Sequence, residues 1–346
     1  MKNVKFINKN KRYIYLLISF LCLFVLNGCD DTDEFKSNDD VSQIGSIKII
    51  CFGNSFTHDC MSYVPCIMND VVPQLDVTIG IAYMGGCSLV QHYANFIGKT
   101  IKFDSREYFP TKYTYYEYST DVGKWKTIGK YHADRILLDE DWDVVTFQQN
   151  GSNSDSKWEK YYEPYIYPIH ESVRELVGDS IKLGWLSVHG AYKTTFDGLF
   201  AKWKGTIENT KKIDELTDNE IVFPFGTAVQ NLRTTPLVNL GDGGFLMADN
   251  GHLHEGIGCL TAAYAIVLKI LEFAGLENEV TILGNDIRPT KEWCKKIGVP
   301  GANFGPKTND VVGISDENCY TAQMAAIMAV KYPYEVTDCN AYYIEP

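Results

Sequence analysis

The chain has 346 residues, of which 45% are hydrophobic and 13% aromatic, so it can bury a sizeable core and is too apolar to be disordered. Its formal net charge of −12 leaves no basic surface for a phosphate backbone, which argues against nucleic acid as a partner. For the same reason, the folded body is not expected to bind an anionic membrane directly.

The first 29 residues have the layout of an export signal. Basic residues precede an uncharged apolar run, residues 13–26, that is too short to span a bilayer comfortably. Asn27 and Gly28 then lead to Cys29, which resembles a lipobox in which Cys29 is diacylated before cleavage. The alternatives are a signal anchor, or an ordinary signal peptide in which Cys29 is incidental. Residues 30–43 are polar and acidic, which is typical of a solvated tether.

These features predict an exported protein that is lipid-anchored to the bacterial outer membrane through Cys29. An acidic stretch just after such a cysteine resembles a surface-export signal, which makes the cell surface a plausible destination. Of the ten cysteines, Cys22 and Cys29 belong to the export segment, and the other eight lack the CxxC spacing of a zinc site. Export permits disulfides, and buried free thiols are an equally good interpretation.

Short apolar runs alternate with stretches that suit helices from residue 44 to about residue 278. Strands are predicted at 47–52, 77–83, 144–147, 181–188 and 221–225, and helices at 65–72, 162–176, 199–216 and 260–274. This alternation favours a three-layer α/β/α domain around a doubly wound, mostly parallel five-stranded sheet of flavodoxin-like type. Residues 279–346, with a helix at 320–330, are predicted to be a C-terminal extension packed on the same domain.

Residues 102–130 depart from that alternation. Tyrosines spaced two apart precede an Asp121-Val122-Gly123 turn, and Trp125 follows, a pattern that predicts a β-hairpin inserted after the second strand. The aromatic side chains could stack on a sugar ring beside a functional site. Alternatively, they only pack the hairpin onto the domain.

A candidate nucleophile, Ser55, lies in the segment Gly53-Asn54-Ser55 directly after the first predicted strand. In open α/β sheets, ligands bind outside the carboxyl ends of the strands, so a small-residue turn at this point would expose the serine to a ligand. The alternative is that Asn54 or Ser55 merely caps the following helix.

A candidate base, His252, follows Asp249 by three residues, with Gly251 between them. An acid at this spacing on a tight turn can hold the imidazole through Nδ1 and leave Nε2 free to take a proton from a serine. The alternatives are a structural Asp/His pair and a zinc site, because His252, His254 and Glu255 are ligand types that zinc accepts.

The order of these features resembles the SGNH hydrolase superfamily, whose four blocks supply Ser, Gly, Asn and His. More closely, the chain resembles an exported, SGNH-like family filed as domain of unknown function 4886. The motifs that carry this resemblance are GNSFT (53–57), GGCSL followed by QH (85–92), WDVVTFQQ (142–149), FGTAVQNLRT (225–234) and DNGHLHEGIG (249–258).

The resemblance implies a Ser-His-Asp machinery. Ser55 matches the nucleophile and Asp249 and His252 match its acid–base pair, while the backbone N–H groups of Ser55 and Gly86 match oxyanion donors, with Gly85 as the adjacent alternative to Gly86. The third block departs from the superfamily pattern, because Phe147-Gln148-Gln149-Asn150 stands where the family has GxND. A side-chain amide of Gln148 or Gln149 is therefore expected to replace the usual Asn as an oxyanion donor.

The activity implied is hydrolysis of an acyl ester, with acetyl on a carbohydrate as the best fit, by an enzyme that needs no metal and no cofactor. Other enzymes on the same triad remain open: a lipase, a thioesterase or an acyltransferase. So do a non-catalytic glycan-binding surface lipoprotein and a metal-dependent hydrolase that uses His252 and His254. The sequence leaves open whether Arg233, His92 and Tyr83 contact a substrate or serve packing.

Overall fold

The computed structural model describes residues 45–193, 195–237, 246–247, 249, 251–300 and 314–344. The export segment with Cys29 and the whole predicted tether, residues 30–43, lie outside these ranges, so the lipid anchor and the tether stay predictions. In the described part of the chain, no helix is both long and apolar enough to cross a membrane.

Nine strands are formed within the described ranges: β1 Ser46–Gly53, β2 Asp76–Tyr83, β3 Ile101–Phe103, β4 Arg106–Tyr108, β5 Tyr113–Ser119, β6 Lys124–Tyr131, β7 Val144–Phe147, β8 Lys182–Leu186 and β9 Ile221–Phe223. Seven of them form one sheet in the order β6-β5-β2-β1-β7-β8-β9. Five neighbouring strands, β2, β1, β7, β8 and β9, are parallel to one another, as predicted. Strand β5 pairs antiparallel with β2.

The sheet has seven strands, the predicted five and the two of the inserted hairpin, because the hairpin pairs with an edge of the parallel sheet. Thr78 of β2 faces Ser119 of β5, and the pairing continues to Tyr83 and Thr114. An additional two-stranded sheet, β3 with β4, was not predicted. The three-layer α/β class is confirmed.

The helices of the described chain are α1 Ser55–Met61, α2 Val64–Val71, α3 Leu89–Ile97, α4 Ala133–Leu137, α5 Trp158–Tyr161, α6 Glu163–Val177, α7 Phe196–Leu216, α8 Phe225–Leu232, α9 Ile257–Phe273, α10 Lys291–Ile297 and α11 Asp316–Lys331, followed by a 3₁₀ turn, Asn340–Tyr342. The apolar α9 packs against α1, α2, α8 and α11, while α3 packs against α6. The central strand β7 is buried at every residue, as expected for a parallel strand covered on both faces.

Most aromatic side chains of the inserted hairpin serve packing. Tyr113, Tyr115, Tyr118 and Trp125 are buried, and the Trp125 indole N–H donates to the Ser62 carbonyl oxygen at 3.1 Å. These four side chains are therefore not placed to stack on a ligand.

The eight cysteines of the described chain are free thiols, and all are buried. Burial raises the pKa of Cys51 to about 12 and that of Cys66 to about 12, so both remain protonated at neutral pH. Buried, protonated thiols are poor nucleophiles, and these residues act as small core side chains.

Candidate active site

Loops at the carboxyl ends of four adjacent parallel strands meet at one edge of the sheet. Ser55 follows β1, Gly86 follows β2, Asn150 follows β7 and Tyr192 follows β8. The strand order β2-β1-β7-β8 places these loops side by side. This is the edge at which open parallel sheets bind ligands.

Asn54, not Ser55, caps the helix that starts after β1. Its side-chain oxygen accepts the Phe56 N–H at 3.0 Å, and its amide nitrogen donates to the Cys87 carbonyl at 2.9 Å. The Ser55 hydroxyl is left at the first position of α1, partly exposed, with its Oγ 2.8 Å from Nε2 of His252.

The Asp249 carboxylate orients the imidazole of His252 through both of its oxygens. Oδ2 lies 2.8 Å from Nδ1 of His252, while Oδ1 accepts the backbone N–H groups of Gly251 at 2.6 Å and His252 at 2.7 Å. Nδ1 therefore carries the proton shared with the carboxylate, and Nε2 of the neutral ring can accept one from Ser55. The structure thus brings Ser55 into contact with a histidine that lies 197 positions away in sequence.

The pKa values of this pair move in opposite directions. Partial burial lowers the pKa of His252, but its hydrogen bond to the Asp249 carboxylate and the charges of Asp59 and Asp249 outweigh this effect, so the pKa is raised above 6.5. Burial alone would raise the pKa of Asp249. The hydrogen bonds that the carboxylate accepts from His252 and Gly251 outweigh this effect, so the net pKa is lowered and the carboxylate stays ionised. An ionised acid beside a histidine of raised pKa stabilises an imidazolium.

Gly86 occupies the turn after β2 with φ of +64°, a left-handed conformation that glycine adopts without strain. Its carbonyl oxygen accepts a hydrogen bond from the Asn150 side-chain amide at 3.0 Å. The Asn150 side-chain oxygen accepts the Asn153 N–H at 3.0 Å, which fixes the orientation of the amide group. Asn150 is partly exposed, so a second N–H of this amide is available at the site edge.

The two glutamines before Asn150 are buried, and their amide groups brace the surrounding loops. Nε2 of Gln148 donates to Oδ1 of Asn54 at 2.6 Å, and Nε2 of Gln149 donates to the Tyr161 carbonyl at 3.1 Å. Oε1 of Gln149 accepts the backbone N–H groups of Leu89 and Asn150. The arrangement does not favour either glutamine as the predicted oxyanion donor, and it places the amide of Asn150 in the more exposed position.

Asp59 is a neighbour of the triad that the sequence analysis missed. It lies one helical turn after Ser55 on α1, and its Oδ2 accepts the N–H of Leu253, the residue after His252, at 3.0 Å. Burial raises the pKa of Asp59 to about 7, although the Leu253 hydrogen bond and the His252 charge oppose that rise. The signal available in sequence was its i, i+4 spacing from Ser55, which places both residues on one helix face.

The two histidines of the HisXHis pair face different partners. His254 is buried, and its Nδ1 accepts the Gly256 N–H at 3.1 Å, whereas His252 faces Ser55. Among the residues that the structure describes, no group of three or more His, Cys, Asp or Glu side chains is arranged to hold a metal ion.

Tyr192 was also missed by the sequence analysis. It is 48% exposed and has φ of +60°, a left-handed conformation that is unusual for a bulky residue and costs about 1 to 3 kcal/mol. Its ring centroid lies 6.3 Å from that of Phe56, which in turn lies 5.8 Å from the His252 ring. No residue pattern in the sequence marks such a conformation.

The three residues whose role the sequence left open occupy different environments. His92 is buried, with Nδ1 2.8 Å from the Tyr113 hydroxyl, and burial lowers its pKa to about 3. Arg233 is buried and donates to the side chain of Gln230 and the carbonyl of Gly190. Tyr83 is partly exposed and stacks on His58 with centroids 4.3 Å apart. His92 and Arg233 therefore serve the interior.

The chain is similar to proteins of one family and to several solved structures. The profile of the family described as Domain of unknown function (DUF4886) matches residues 48–291. A DUF4886 family protein from Bacteroides uniformis has a TM-score of 0.65 and 24% identity, covering 85% of this chain and 98% of that chain. A search of curated proteins returns no match.

Two further solved structures are more distant. A protein from Slackia heliotrinireducens, proposed to be an SGNH hydrolase, has a TM-score of 0.40 and 12% identity over 65% of this chain and 99% of that chain. The lipase Lip_vut3 from a goat rumen metagenome has a TM-score of 0.35 and 12% identity over 67% and 99% of the two chains. The fold is shared with the Bacteroides uniformis protein.

Proposed function

The chain belongs to the DUF4886 family, and from its site geometry we propose that it is an SGNH-type serine hydrolase that cleaves carboxylic esters. One observation carries the proposal: Asp249, His252 and Ser55 form a continuous hydrogen-bond chain, with 2.8 Å at both links to the imidazole. A serine needs an oriented base to become nucleophilic at neutral pH, and this geometry supplies one.

In the proposed reaction, Ser55 Oγ attacks the ester carbonyl carbon while Nε2 of His252 takes the hydroxyl proton. The tetrahedral intermediate collapses, its C–O bond to the alcohol breaks, and His252 returns the proton to the departing oxygen. Water, deprotonated by His252, then attacks the acyl-serine. The bond between the acyl carbon and Ser55 Oγ breaks, His252 returns the proton to Oγ, and the acid is released. Asp249 holds the ring and stabilises the imidazolium throughout.

We assign the oxyanion to the backbone N–H groups of Ser55 and Gly86 and to the side-chain amide of Asn150. The loops after β1, β2 and β7 carry these donors next to one another. Asn150 replaces Gln148 and Gln149 in this assignment because its amide is partly exposed, whereas both glutamines are buried and brace Asn54 and Tyr161. Each such donor typically contributes about 3 to 4 kcal/mol to transition-state stabilisation.

We further propose that the protein is a lipid-anchored, exported esterase that removes an acyl group, most simply acetyl, from a carbohydrate. The lipobox ending at Cys29 supports export and anchoring. The excess of 44 acidic over 32 basic residues supports a neutral rather than an anionic substrate. Incorporation of a labelled fatty acid that is lost in Cys29→Ala would support the anchor, whereas unlabelled wild-type protein would contradict it.

The test is hydrolysis of p-nitrophenyl acetate, and release of acetate from acetylated glycans, by the full-length protein purified in detergent. We expect Ser55→Ala and His252→Ala to lose turnover by orders of magnitude while keeping the wild-type melting temperature. Ser172→Ala, on α6, is the matched control, since its hydroxyl only donates to the Pro168 carbonyl within its own helix. An inert wild type would contradict the enzyme proposal and favour the glycan-binding lipoprotein; loss of activity with a chelator would favour a metal-dependent hydrolase.

A further inference from the structure

We propose that Tyr192 forms a stacking platform, beside Ser55, for the sugar ring that carries the scissile ester. The inference rests on the proposed ester hydrolysis and adds to it the surface that would recognise the alcohol part of the substrate. It assigns this role to the loop between β8 and α7, not to the inserted hairpin whose tyrosines are largely buried.

The Tyr192 ring lies between two loops of the active site. A Cβ added at Gly251, next to His252, would lie 2.7 Å from the ring, and one added at Gly151, next to Asn150, would lie 3.0 Å from it. Glycine at both positions therefore leaves room for the ring to approach. Tyr192 connects the loop of the proposed base with the loop of the proposed oxyanion donor.

The conformation of Tyr192 is difficult to explain by folding alone. A left-handed residue with φ of +60° favours glycine or asparagine, and a bulky side chain there adds strain. The ring is 48% exposed, so it recovers only part of the apolar burial that an interior tyrosine would gain. Strained, exposed aromatic residues beside a reactive group point to contact with a ligand.

The surroundings of the ring favour a neutral, amphipathic ligand. Partial burial and the nearby charges of Asp249 and Asp59 raise the pKa of Tyr192, so its hydroxyl stays neutral and available for hydrogen bonding. The same carboxylates disfavour an anionic carrier. A sugar ring offers both a C–H face for the aromatic surface and oxygen atoms that can accept a hydrogen bond from the tyrosine hydroxyl.

The experiment compares Tyr192→Gly and Tyr192→Phe with wild type on glucose pentaacetate and on ethyl acetate, which has no ring. Tyr192→Gly removes the ring and also relieves the left-handed strain, so its melting temperature should equal or exceed that of wild type. We expect its KM for glucose pentaacetate to rise about tenfold, because an aromatic stacking contact is lost. Its kcat/KM should fall much less for ethyl acetate than for glucose pentaacetate, and Tyr192→Phe should retain most of the sugar-ester activity.

A second measurement separates this proposal from the proposed function. Binding of glucose pentaacetate is measured by calorimetry in Ser55→Ala and in Ser55→Ala combined with Tyr192→Gly, which needs no turnover. A weakening of about tenfold in Kd supports the platform even if the wild type proves inert. Equal Kd values, equal losses on both esters, or a lower melting temperature of Tyr192→Gly would overturn it in favour of a structural residue.

Discussion

Two His–Asp pairs of similar local geometry lie at opposite ends of the sheet. Nδ1 of His252 lies 2.8 Å from Asp249, and Nδ1 of His170 lies 2.8 Å from Asp218. The His252 side chain is 38% exposed, whereas that of His170 is 3% exposed. A hydrogen bond between a histidine and an aspartate therefore does not by itself make the histidine a catalytic base.

The surroundings of the pairs make the difference. Asp218 lies between α7 and β9, at the amino end of that strand, and Arg174 Nε also donates to it at 2.7 Å. The hydrogen bonds from His170 and Arg174 hold the pKa of Asp218 well below its usual range. An open groove of about 680 Å³ lies beside this cluster, in which His170 and Arg174 both pair with Asp218. At the carboxyl edge, by contrast, the second nitrogen of the imidazole faces a serine.

The largest expected difference between the two pairs comes from replacing His252 or His170 by alanine, one at a time. His252→Ala should lower kcat/KM by roughly 10⁴- to 10⁶-fold with little change in stability, because a member of the proposed relay is lost. His170→Ala should instead lower the free energy of unfolding by about 2 to 3 kcal/mol through lost core packing, with the activity of the folded enzyme retained. Ester turnover and urea unfolding are measured for both variants. If the two variants lost activity and stability to similar extents, the assignment of His252 as the catalytic base would be contradicted.

Replacing the aspartate of each pair by asparagine should again affect activity in one pair and stability in the other, with smaller changes than the histidine variants show. Asp249→Asn should lower kcat by about 10³- to 10⁴-fold, because an amide no longer selects the required imidazole tautomer. Asp218→Asn should affect stability only. Since the folded pKa of Asp218 is lowered, its contribution is complete above its unfolded value of 3.8 and is lost as pH falls below that value. The unfolding midpoints of wild type and Asp218→Asn should therefore differ at pH 7 and converge in acid.

The amides of the carboxyl edge provide a third comparison. Asn150→Ala should lower kcat by about a hundredfold through loss of a proposed oxyanion donor, with KM little changed. Gln149→Ala should mainly lower the melting temperature, because the backbone N–H groups of Leu89 and Asn150 would lose a buried acceptor. If Gln149→Ala showed the larger loss of kcat in the folded state, the original glutamine assignment would be restored.

The smallest effect is expected at Asp59. His252 must be neutral to act as base, so kcat/KM should rise with pH through its raised pKa. Asp59→Asn removes a carboxylate that helps to raise that pKa, so the rising limb should move to lower pH. Asp59→Leu, which also removes the acceptor for the Leu253 N–H, should lower kcat further, by about tenfold. An unmoved limb in Asp59→Asn would show that the two groups are not coupled.

The sequence by itself was sufficient for the alternation of strands and helices and for the position of Ser55 at the carboxyl end of β1. Both depend on local periodicity and on turn residues, which are visible in short segments. It also predicted the hairpin from its alternating tyrosines. It did not show that this hairpin pairs with β2 and buries Tyr113 and Tyr115, because pairing partners distant in sequence leave no local signal.

The tertiary structure alone decided which side chains face the candidate site. Gln149 and Asn150 are adjacent amides of equal chemical capacity, and only the positions of Tyr161 and Gly86 separate a buried brace from a partly exposed donor. Likewise, His252 and His170 differ in what packs around them rather than in residue type. A side chain's availability is set by contacts between segments far apart in the chain, and these contacts arise only when the fold closes.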